Sequence, residues 1–271
     1  MASASVRTMG RAYEGEGCET LRKSFCRHRL SSAGLTTPAP ALPNVENMET
    51  LESSRSVAQT HSRQGWWYRE SVVSTLRAVL VAVLGAMLIG GLTSLGQQYL
   101  PAWLNSLANS VGGWTMLSFL LVWLGRARPL LAAVLGVVVF QLLTESYSVV
   151  SEWRGFDDGD PFTSIWTVVG LIAGPVLGVS AGLVRHAPPL WRVLGVAPLS
   201  AVLLGEGIWA LNTIVATTSP VYWSIEIVLS VLFLAAAIHR TGLSTRGIVT
   251  VACVWVLGTL AFVGVIVFIL N

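Results

Sequence analysis

The chain has 271 residues, of which 53% are hydrophobic and only 11% are charged, and its formal net charge is +3. Soluble domains carry about 25% charged residues. Here 16 of the 31 Lys, Arg, Asp and Glu residues lie in positions 1–70, so the remainder has too few charges to build a water-soluble surface. This composition excludes a soluble globular protein. Because the arginines beyond position 70 are scattered rather than gathered in one patch, it also gives no indication of nucleic-acid binding.

Residues 1–66 have no sustained apolar periodicity and are rich in Ser, Thr, Pro, Gly and Glu. Such a segment cannot bury enough apolar surface to offset the entropy of ordering it, so we predict a disordered cytoplasmic tail. An over-extended start, with the true start at a position such as Met9 or Met48, is the alternative interpretation. The aromatic residues at 66–68 are typical of an interfacial anchor, and we predict a transmembrane helical domain over residues 67–271.

Seven apolar runs follow the tail, and most have close to the ~20 residues that an α-helix needs to cross the hydrocarbon core of a bilayer. They predict an all-α fold, a polytopic transmembrane bundle of about seven helices. The second run is short unless it begins near Leu107, so six helices with one re-entrant segment is the alternative. The seven runs are 74–95, 110–124, 130–150, 162–184, 190–211, 221–238 and 248–270.

Arginines in the connections between the runs orient the bundle, because cytoplasmic loops are enriched in Lys and Arg. Alternate connections carry two Arg each, whereas the opposite set carries Arg154 alone, beside the acids of loop 151–161. We therefore predict a multi-pass membrane protein with a cytoplasmic N-terminus and an external C-terminus. The cytoplasmic pairs are Arg126 and Arg128, Arg185 and Arg192, and Arg240 and Arg246.

Two stripes of small residues predict close contacts between helices. Lipid provides no hydrophobic drive for helix association, so small side chains that let backbones approach supply the packing. The first run carries Ala78, Ala82 and Ala86 on one side. Each stripe packs within the bundle in one interpretation, and in the other the alanine face docks a partner subunit. The glycine stripe, in the fourth run, consists of Gly170, Gly174, Gly178 and Gly182.

Three carboxylates lie inside the runs, namely Glu145, Glu206 and Glu226. Ionisable groups at membrane depth normally face the bundle interior or a water-filled cavity. Each lies five or six residues from the outer end of its run, which at 1.5 Å rise per residue is a depth of roughly 7–9 Å. We predict that the three acids form a polar pocket open to the outside. The alternative is that each acid extends separately to the headgroups and meets water there.

Further polar residues accompany the acids. Gln141 shares a helix face with Glu145. Tyr222 shares one with Glu226 in the same way. The inner halves of the runs hold no comparable groups, so we predict that apolar packing closes the pocket toward the cytoplasm. The first outer loop adds the candidates Gln97, Gln98, Asn105 and Asn109.

The residues give no support for metal, cofactor or enzyme chemistry. Cys18, Cys26 and Cys253 do not form a ligand set, because a zinc site would need a second Cys/His pair. The histidines lie in the tail or at the cytoplasmic ends of runs, away from the acids, and no nucleophile–base pair can be assembled. We expect no metal, no cofactor and no enzymatic activity. The four histidines are His28, His61, His186 and His239.

Several short motifs resemble those of a family of integral membrane proteins from high-GC Gram-positive bacteria that is classed as a domain of unknown function. The resemblance covers about residues 75–215 and leaves the tail outside. It implies a bacterial inner-membrane location, and it implies no activity because none is assigned to the family. The motifs are 91–101 (GLTSLGQQYLP), 105–110 (NSLANS), Glu145 with Tyr147, Arg154-Gly155-Phe156, 174–178 (GPVLG) and 203–206 (LLGE).

The acidic pocket favours a protein that binds or transports a small solute, a cation or an amine. One specific form is similar to the substrate-capture subunits of energy-coupling transporters, which dock to a partner through small residues on their first helix. The seventh run and the external C-terminus depart from that class, so we do not carry the assignment over. The alternative from another class is a non-transporting scaffold or accessory subunit of a larger membrane complex.

Overall fold

The computed structural model describes Trp67, residues 70–156 and residues 160–270. The predicted tail, residues 1–66, lies outside the described residues. Over 70–156 and 160–270 the chain forms seven α-helices and one short 3-10 helix, with no strand. The α-helices are α1 (Val72–Tyr99), α2 (Val111–Gly125), α3 (Pro129–Trp153), α4 (Ile165–His186), α5 (Pro189–Thr213), α6 (Pro220–Thr241) and α7 (Thr245–Leu270), and the 3-10 helix (Asn105–Asn109) precedes α2.

The prediction of an all-α transmembrane bundle is confirmed. Six of the helices are long and apolar enough to cross a membrane, whereas α2, with 15 residues, is shorter. Large apolar side chains cover the exterior, as at Leu84 on α1 and Leu257 on α7, which are 62% and 65% exposed. An exterior of this kind is stable against lipid and not against water.

Proline and serine define where the helices begin. Proline at the first position of a helix costs no hydrogen bond, because the N–H group it lacks has no partner inside the helix. A serine hydroxyl before a helix accepts one of the free N–H groups of the first turn. The helices that begin with proline are α3, α5 and α6. The capping serines are Ser71 on α1, Ser110 on α2, Ser164 on α4 and Ser219 on α6.

The glycine stripe of α4 lies directly against the backbone of α3. A Cβ added at Gly174 would lie 2.8 Å from the Cα of Val137, and one added at Gly178 would overlap the carbonyl oxygen of Ala132. Residues larger than glycine would therefore separate the two helices. Gly174, Gly178 and Gly182 face the α3 backbone in this way, whereas Gly170 meets the side chains of Phe140 and Gln141.

The alanine face of α1 is covered by this chain's own helices. Ala78, Ala82 and Ala86 are fully buried, in one apolar cluster with Leu121 of α2. Gly125, at the end of α2, lets the two backbones approach at Ala78. A partner subunit could not dock on this face without first displacing α2.

Basic side chains gather at one end of the bundle, here called the arginine end. The guanidinium of Arg185 lies 4.4 Å from the ring centroid of Trp123, and His186 Nε2 lies 3.1 Å from the carbonyl oxygen of Arg126. Arg77 contacts a carbonyl oxygen of the last turn of α2. The start of α1, the end of α2 and the end of α4 are therefore neighbours, and α2 runs from the opposite end toward them.

Candidate functional site

Two of the three predicted carboxyl groups meet inside the bundle. Glu206, on α5, is 3% exposed, and Glu226, on α6, is completely buried. Glu206 lies seven residues before Thr213 and Glu226 six residues after Pro220. At 1.5 Å per residue they are about 9–10.5 Å below the helix ends that lie opposite the arginine end. We call these two residues the acid pair.

Glu206 caps the first turn of α2. The N–H of Val111 donates to Glu206 Oε1 at 2.9 Å, and the N–H of Gly112 donates to Oε2. The next N–H, that of Gly113, donates to the hydroxyl of Ser110 at 2.8 Å. A helix leaves its first N–H groups without partners, so a carboxylate from α5 and a serine complete this helix start within the protein interior. The positive end of the helix dipole also favours a negative charge at this position.

The glycine pair Gly112-Gly113 makes this arrangement sterically possible. A Cβ at Gly112 would overlap Glu226 Oε1 and lie 2.9 Å from Glu206 Oε2, and a Cβ at Gly113 would lie 2.7 Å from Ser110 Oγ. Both acid oxygens are thus close to one point beside Gly112. They are less than about 6 Å apart, a separation at which like charges perturb one another.

Glu226 is held by neutral groups and is only partly satisfied. The Tyr222 hydroxyl donates to its Oε1 at 2.6 Å, and the Ser110 hydroxyl lies 3.4 Å from the same oxygen. The two hydroxyl oxygens are 2.5 Å apart, which completes a triangle of short contacts. In the part of the chain that the structure describes, Glu226 Oε2 has no hydrogen-bond partner. An orphaned oxygen on a fully buried carboxyl is costly and calls for an explanation.

A cavity of about 310 Å³ lies on the other side of Ser110 and Val111. We call it the aromatic cavity, because four of its ten lining residues are aromatic, with Trp114 and Tyr147 in edge contact at 5.4 Å. Ser110 and Val111 therefore form a wall with the cavity on one side and the acid pair on the other. The cavity is lined by Asn109, Ser110, Val111, Trp114, Phe140, Thr144, Tyr147, Ser148, Ser164 and Trp166.

Two predicted residues of α3 face away from the acid pair. Glu145 is half-buried and accepts a hydrogen bond from the N–H of Phe162, before the start of α4, at 3.1 Å. Gln141 donates to the carbonyl oxygen of Thr167 at 2.8 Å. Both side chains tie α3 to the α4 region.

The predicted residues of the first outer loop hold that loop together. The side-chain amide of Asn105 donates to the carbonyl oxygen of Gln97 at 2.6 Å. Gln98 accepts a hydrogen bond from Arg154 at 3.1 Å, which joins the end of α1 to the end of α3. Of these four residues, Asn109 alone lines the aromatic cavity.

Polar contacts continue from the acid pair toward the arginine end for one more turn. Ser230, one turn after Glu226, donates to the carbonyl oxygen of Ser200 at 2.5 Å and accepts from Trp255 Nε1 at 3.2 Å. Beyond it, α5, α6 and α7 meet in an apolar cluster that contains Val193, Leu234 and Val251. Apolar packing thus closes the bundle between the acid pair and the arginine end.

Sequence reasoning missed the backbone side of this site. Ser110, Val111 and the glycine pair Gly112-Gly113 lie at the start of the second run, which was uncertain because it is short. The available signal was a capping serine followed by two adjacent glycines at the start of an apolar helix, a pattern that permits close approach to a helix N-terminus.

Metal ligands are scarce near the site. Within 70–156 and 160–270, no group of three or more His, Cys, Asp or Glu side chains is placed to hold a metal ion. Both oxygens of Glu206 already accept backbone N–H groups. The arrangement can place a negative charge beside a neutral carboxyl or a cation, in an interior shielded from bulk water.

Together, the apolar bundle and its buried acid pair define an integral membrane protein with an ionisable site below one membrane face. The chain belongs to a family of unknown function, DUF6518, whose model matches residues 69–270. No curated protein and no solved structure matches the chain.

Proposed function

We propose that this chain is a non-enzymatic membrane protein that binds a small cationic solute, such as an amine, from the outer face. The acid pair supplies the negative charge in this proposal, and the aromatic cavity receives the body of the solute. The observation that carries the proposal is the chemistry around the acid pair. Two carboxyl groups are buried side by side, and their hydrogen-bond partners are two backbone amides, a phenol and a serine hydroxyl, all neutral.

The size and lining of the aromatic cavity support a solute larger than a bare ion. Its volume of about 310 Å³ is at the lower end of the range typical of small-molecule sites, about 300–1,000 Å³. Aromatic faces attract ammonium groups through their ring quadrupoles. The hydroxyl groups of Ser110 and Thr144, which also line the cavity, would orient such a group by hydrogen bonding.

The geometry of the start of α2 favours a movable segment, Ser110 and Val111, between the cavity and the acid pair. Transporters commonly bind substrate where a discontinuous transmembrane helix begins or ends within the bilayer. Here α2 begins about 9–10 Å below the helix ends, after a 3-10 helix (Asn105–Asn109), and its first two N–H groups are held by Glu206. In the proposed function, displacement of Ser110 and Val111 brings a solute from the cavity to the acid pair.

Orientation in the membrane is part of the proposal. The positive-inside rule places the arginine end in the cytoplasm, which puts the acid pair and the aromatic cavity on the outer side and the C-terminus outside. The resemblance described above favours the cell membrane of a bacterium.

Thermal unfolding of the purified protein with a series of primary and quaternary ammonium compounds tests the proposal. We expect at least one compound to raise the unfolding temperature of the wild type, because a ligand that binds the folded form stabilises it. Glu226→Gln should abolish this response. Glu145→Gln is the matched control, since it removes a carboxyl at similar depth outside the acid pair, and should keep the response. The proposal is wrong if no compound has an effect, or if Glu226→Gln responds like the wild type.

A further inference from the structure

We infer that Glu226 carries an exchangeable proton while Glu206 stays ionised, so that the ion bound at the acid pair in the absence of solute is a proton. The inference deepens the proposed function, on which the coupling of this proton to a solute rests. The proton site itself depends only on the contacts of the two carboxyl groups and can be tested without any solute.

The hydrogen bonds of Glu206 identify it as the ionised member. Its two oxygens each accept a backbone N–H, from Val111 and from Gly112. A carboxylate has two equivalent acceptor oxygens, whereas the hydroxyl oxygen of a carboxylic acid is a weaker acceptor and its hydrogen needs an acceptor of its own. The positive end of the α2 dipole stabilises the same charge.

The contacts of Glu226 identify it as the protonated member. It is completely buried, its Oε1 already accepts from Tyr222, and its Oε2 has no partner among the described residues. The titratable groups that face it are Glu206 from α5 and Tyr222 from its own helix, and the facing group from α2 is the neutral hydroxyl of Ser110. No positive charge is supplied by these neighbours, so a proton on Oε2 is what neutralises the second carboxyl.

A metal ion fits this arrangement poorly. Hard cations such as Ca²⁺ and Mg²⁺ take six or more oxygen ligands. Both oxygens of Glu206 are occupied by N–H groups, and Glu226 Oε1 accepts from Tyr222. Among the described residues, Glu226 Oε2 is the acid-pair oxygen left without a partner, and a single oxygen suffices for a proton.

Hydroxyl groups supply a route for the proton to the aromatic cavity. The Ser110 and Tyr222 hydroxyl oxygens are 2.5 Å apart, and the Tyr222 hydroxyl donates to Glu226 Oε1 at 2.6 Å. Ser110 also lines the cavity. When Ser110 donates to Tyr222 and Tyr222 to Glu226, the O–H bonds form one continuous chain. Ser110 takes up a proton from the cavity as it gives its own to Tyr222, and Tyr222 gives its own to Glu226 Oε1. Rotation of the protonated carboxyl then places that proton at the Oε2 position and restores Oε1 as the acceptor from Tyr222.

Infrared spectroscopy of the reconstituted protein, with the difference taken between spectra in H2O and in D2O, tests the inference directly. A protonated carboxylic acid has a C=O stretching band above the amide bands, and this band moves to lower frequency in D2O when the proton exchanges. We expect such a band in the wild type, its loss in Glu226→Gln, and its retention in Glu206→Gln and Glu145→Gln. A band that survives in Glu226→Gln, or that disappears in Glu206→Gln instead, would overturn the assignment.

A second variant covers the case in which Glu226→Gln fails to fold. Tyr222→Phe keeps the carboxyl but removes a donor to Oε1, so the band should remain and shift to higher frequency, and an unchanged frequency would contradict the assignment. The failure of the proposed function looks different. In that case the band behaves as stated, but no ammonium compound diminishes it. If the proton site and the proposed function are both correct, a bound ammonium compound should reduce the band in the wild type, because the proton leaves as the cation arrives.

Discussion

The hydroxyl of Ser110 lies 2.5 Å from the hydroxyl of Tyr222, although 112 residues separate the two in sequence. The same serine accepts a hydrogen bond from the N–H of Gly113, which would otherwise have no partner in the first turn of α2. One small side chain thus fixes the start of α2, contacts the first turn of α6, and forms part of a cavity wall.

Replacement of Ser110 by alanine should therefore destabilise the protein more than loss of an ordinary helix cap. The Gly113 N–H would lose its acceptor in the protein interior, and we expect a loss of about 1–2 kcal/mol in the free energy of unfolding. Ser219→Ala, which removes a peripheral cap with a 3.3 Å contact to Val221, should lower stability less. Unfolding followed by tryptophan fluorescence in detergent measures the difference, and equal effects of the two substitutions would contradict the interior role of Ser110.

The two members of the acid pair should respond differently to conversion to glutamine. Glu206→Gln replaces one acceptor oxygen by an NH2 group that faces a backbone N–H, so we expect a loss of about 1–3 kcal/mol. Glu226→Gln removes no acceptor for a backbone group and should change stability by less. The unfolding midpoints of the two variants, compared at one pH and detergent concentration, decide the point. If Glu226→Gln is the more destabilised variant, Glu206 is not the cap that holds α2.

Gly178→Ala should separate α3 from α4. Its Cβ would overlap the carbonyl oxygen of Ala132, which is backbone and cannot move aside by changing rotamer. We expect a loss of about 1–3 kcal/mol, as for other over-packed contacts. Gly264→Ala in α7 is the control, because nothing lies within 4 Å of a Cβ there. The unfolding temperatures of the two variants measure the difference. If Gly178→Ala unfolds at the wild-type temperature, the close contact between Gly178 and the α3 backbone is wrong.

Single-cysteine labelling tests the orientation that the arginines predict. In a background without Cys18, Cys26 and Cys253, a cysteine at Asp160 should react with a membrane-impermeant maleimide on intact cells. A cysteine at Ser244 should react after the membrane is permeabilised. Both positions are exposed in connections between helices. The reverse pattern would place the acid pair on the cytoplasmic side and remove the basis for an outward-facing site.

The helices could be predicted from sequence because hydropathy, prolines and capping serines act locally. The run at 110–124 matches α2 (Val111–Gly125) within one residue, since Ser110 caps it directly. The depth of the acids was predictable for the same reason, because it follows from counting residues along one helix.

The lateral arrangement of the acids was not predictable in this way. Glu145 shares the depth of Glu206 and Glu226 but bonds to Phe162, because the direction of a side chain around its helix axis depends on which neighbours the helix meets. The role of Gly112 was hidden for a related reason. A glycine shows what it permits only when the approaching group, here an oxygen of Glu206, is known.

The short α2 also has an electrical consequence. Its 15 residues cover about 22 Å of a hydrocarbon core that is about 30 Å thick. In the proposed orientation, a proton that reaches Glu226 from the outer side has moved roughly 9 Å. This is about a third of the hydrocarbon thickness, so the proton crosses about a third of the membrane potential if the potential falls evenly. Since a full crossing is worth about 2.3 kcal/mol per 100 mV, the occupancy of Glu226 should change with membrane potential by about 0.7 kcal/mol per 100 mV. In the proposed function, the proton on Glu226 would therefore respond to membrane potential as well as to solute.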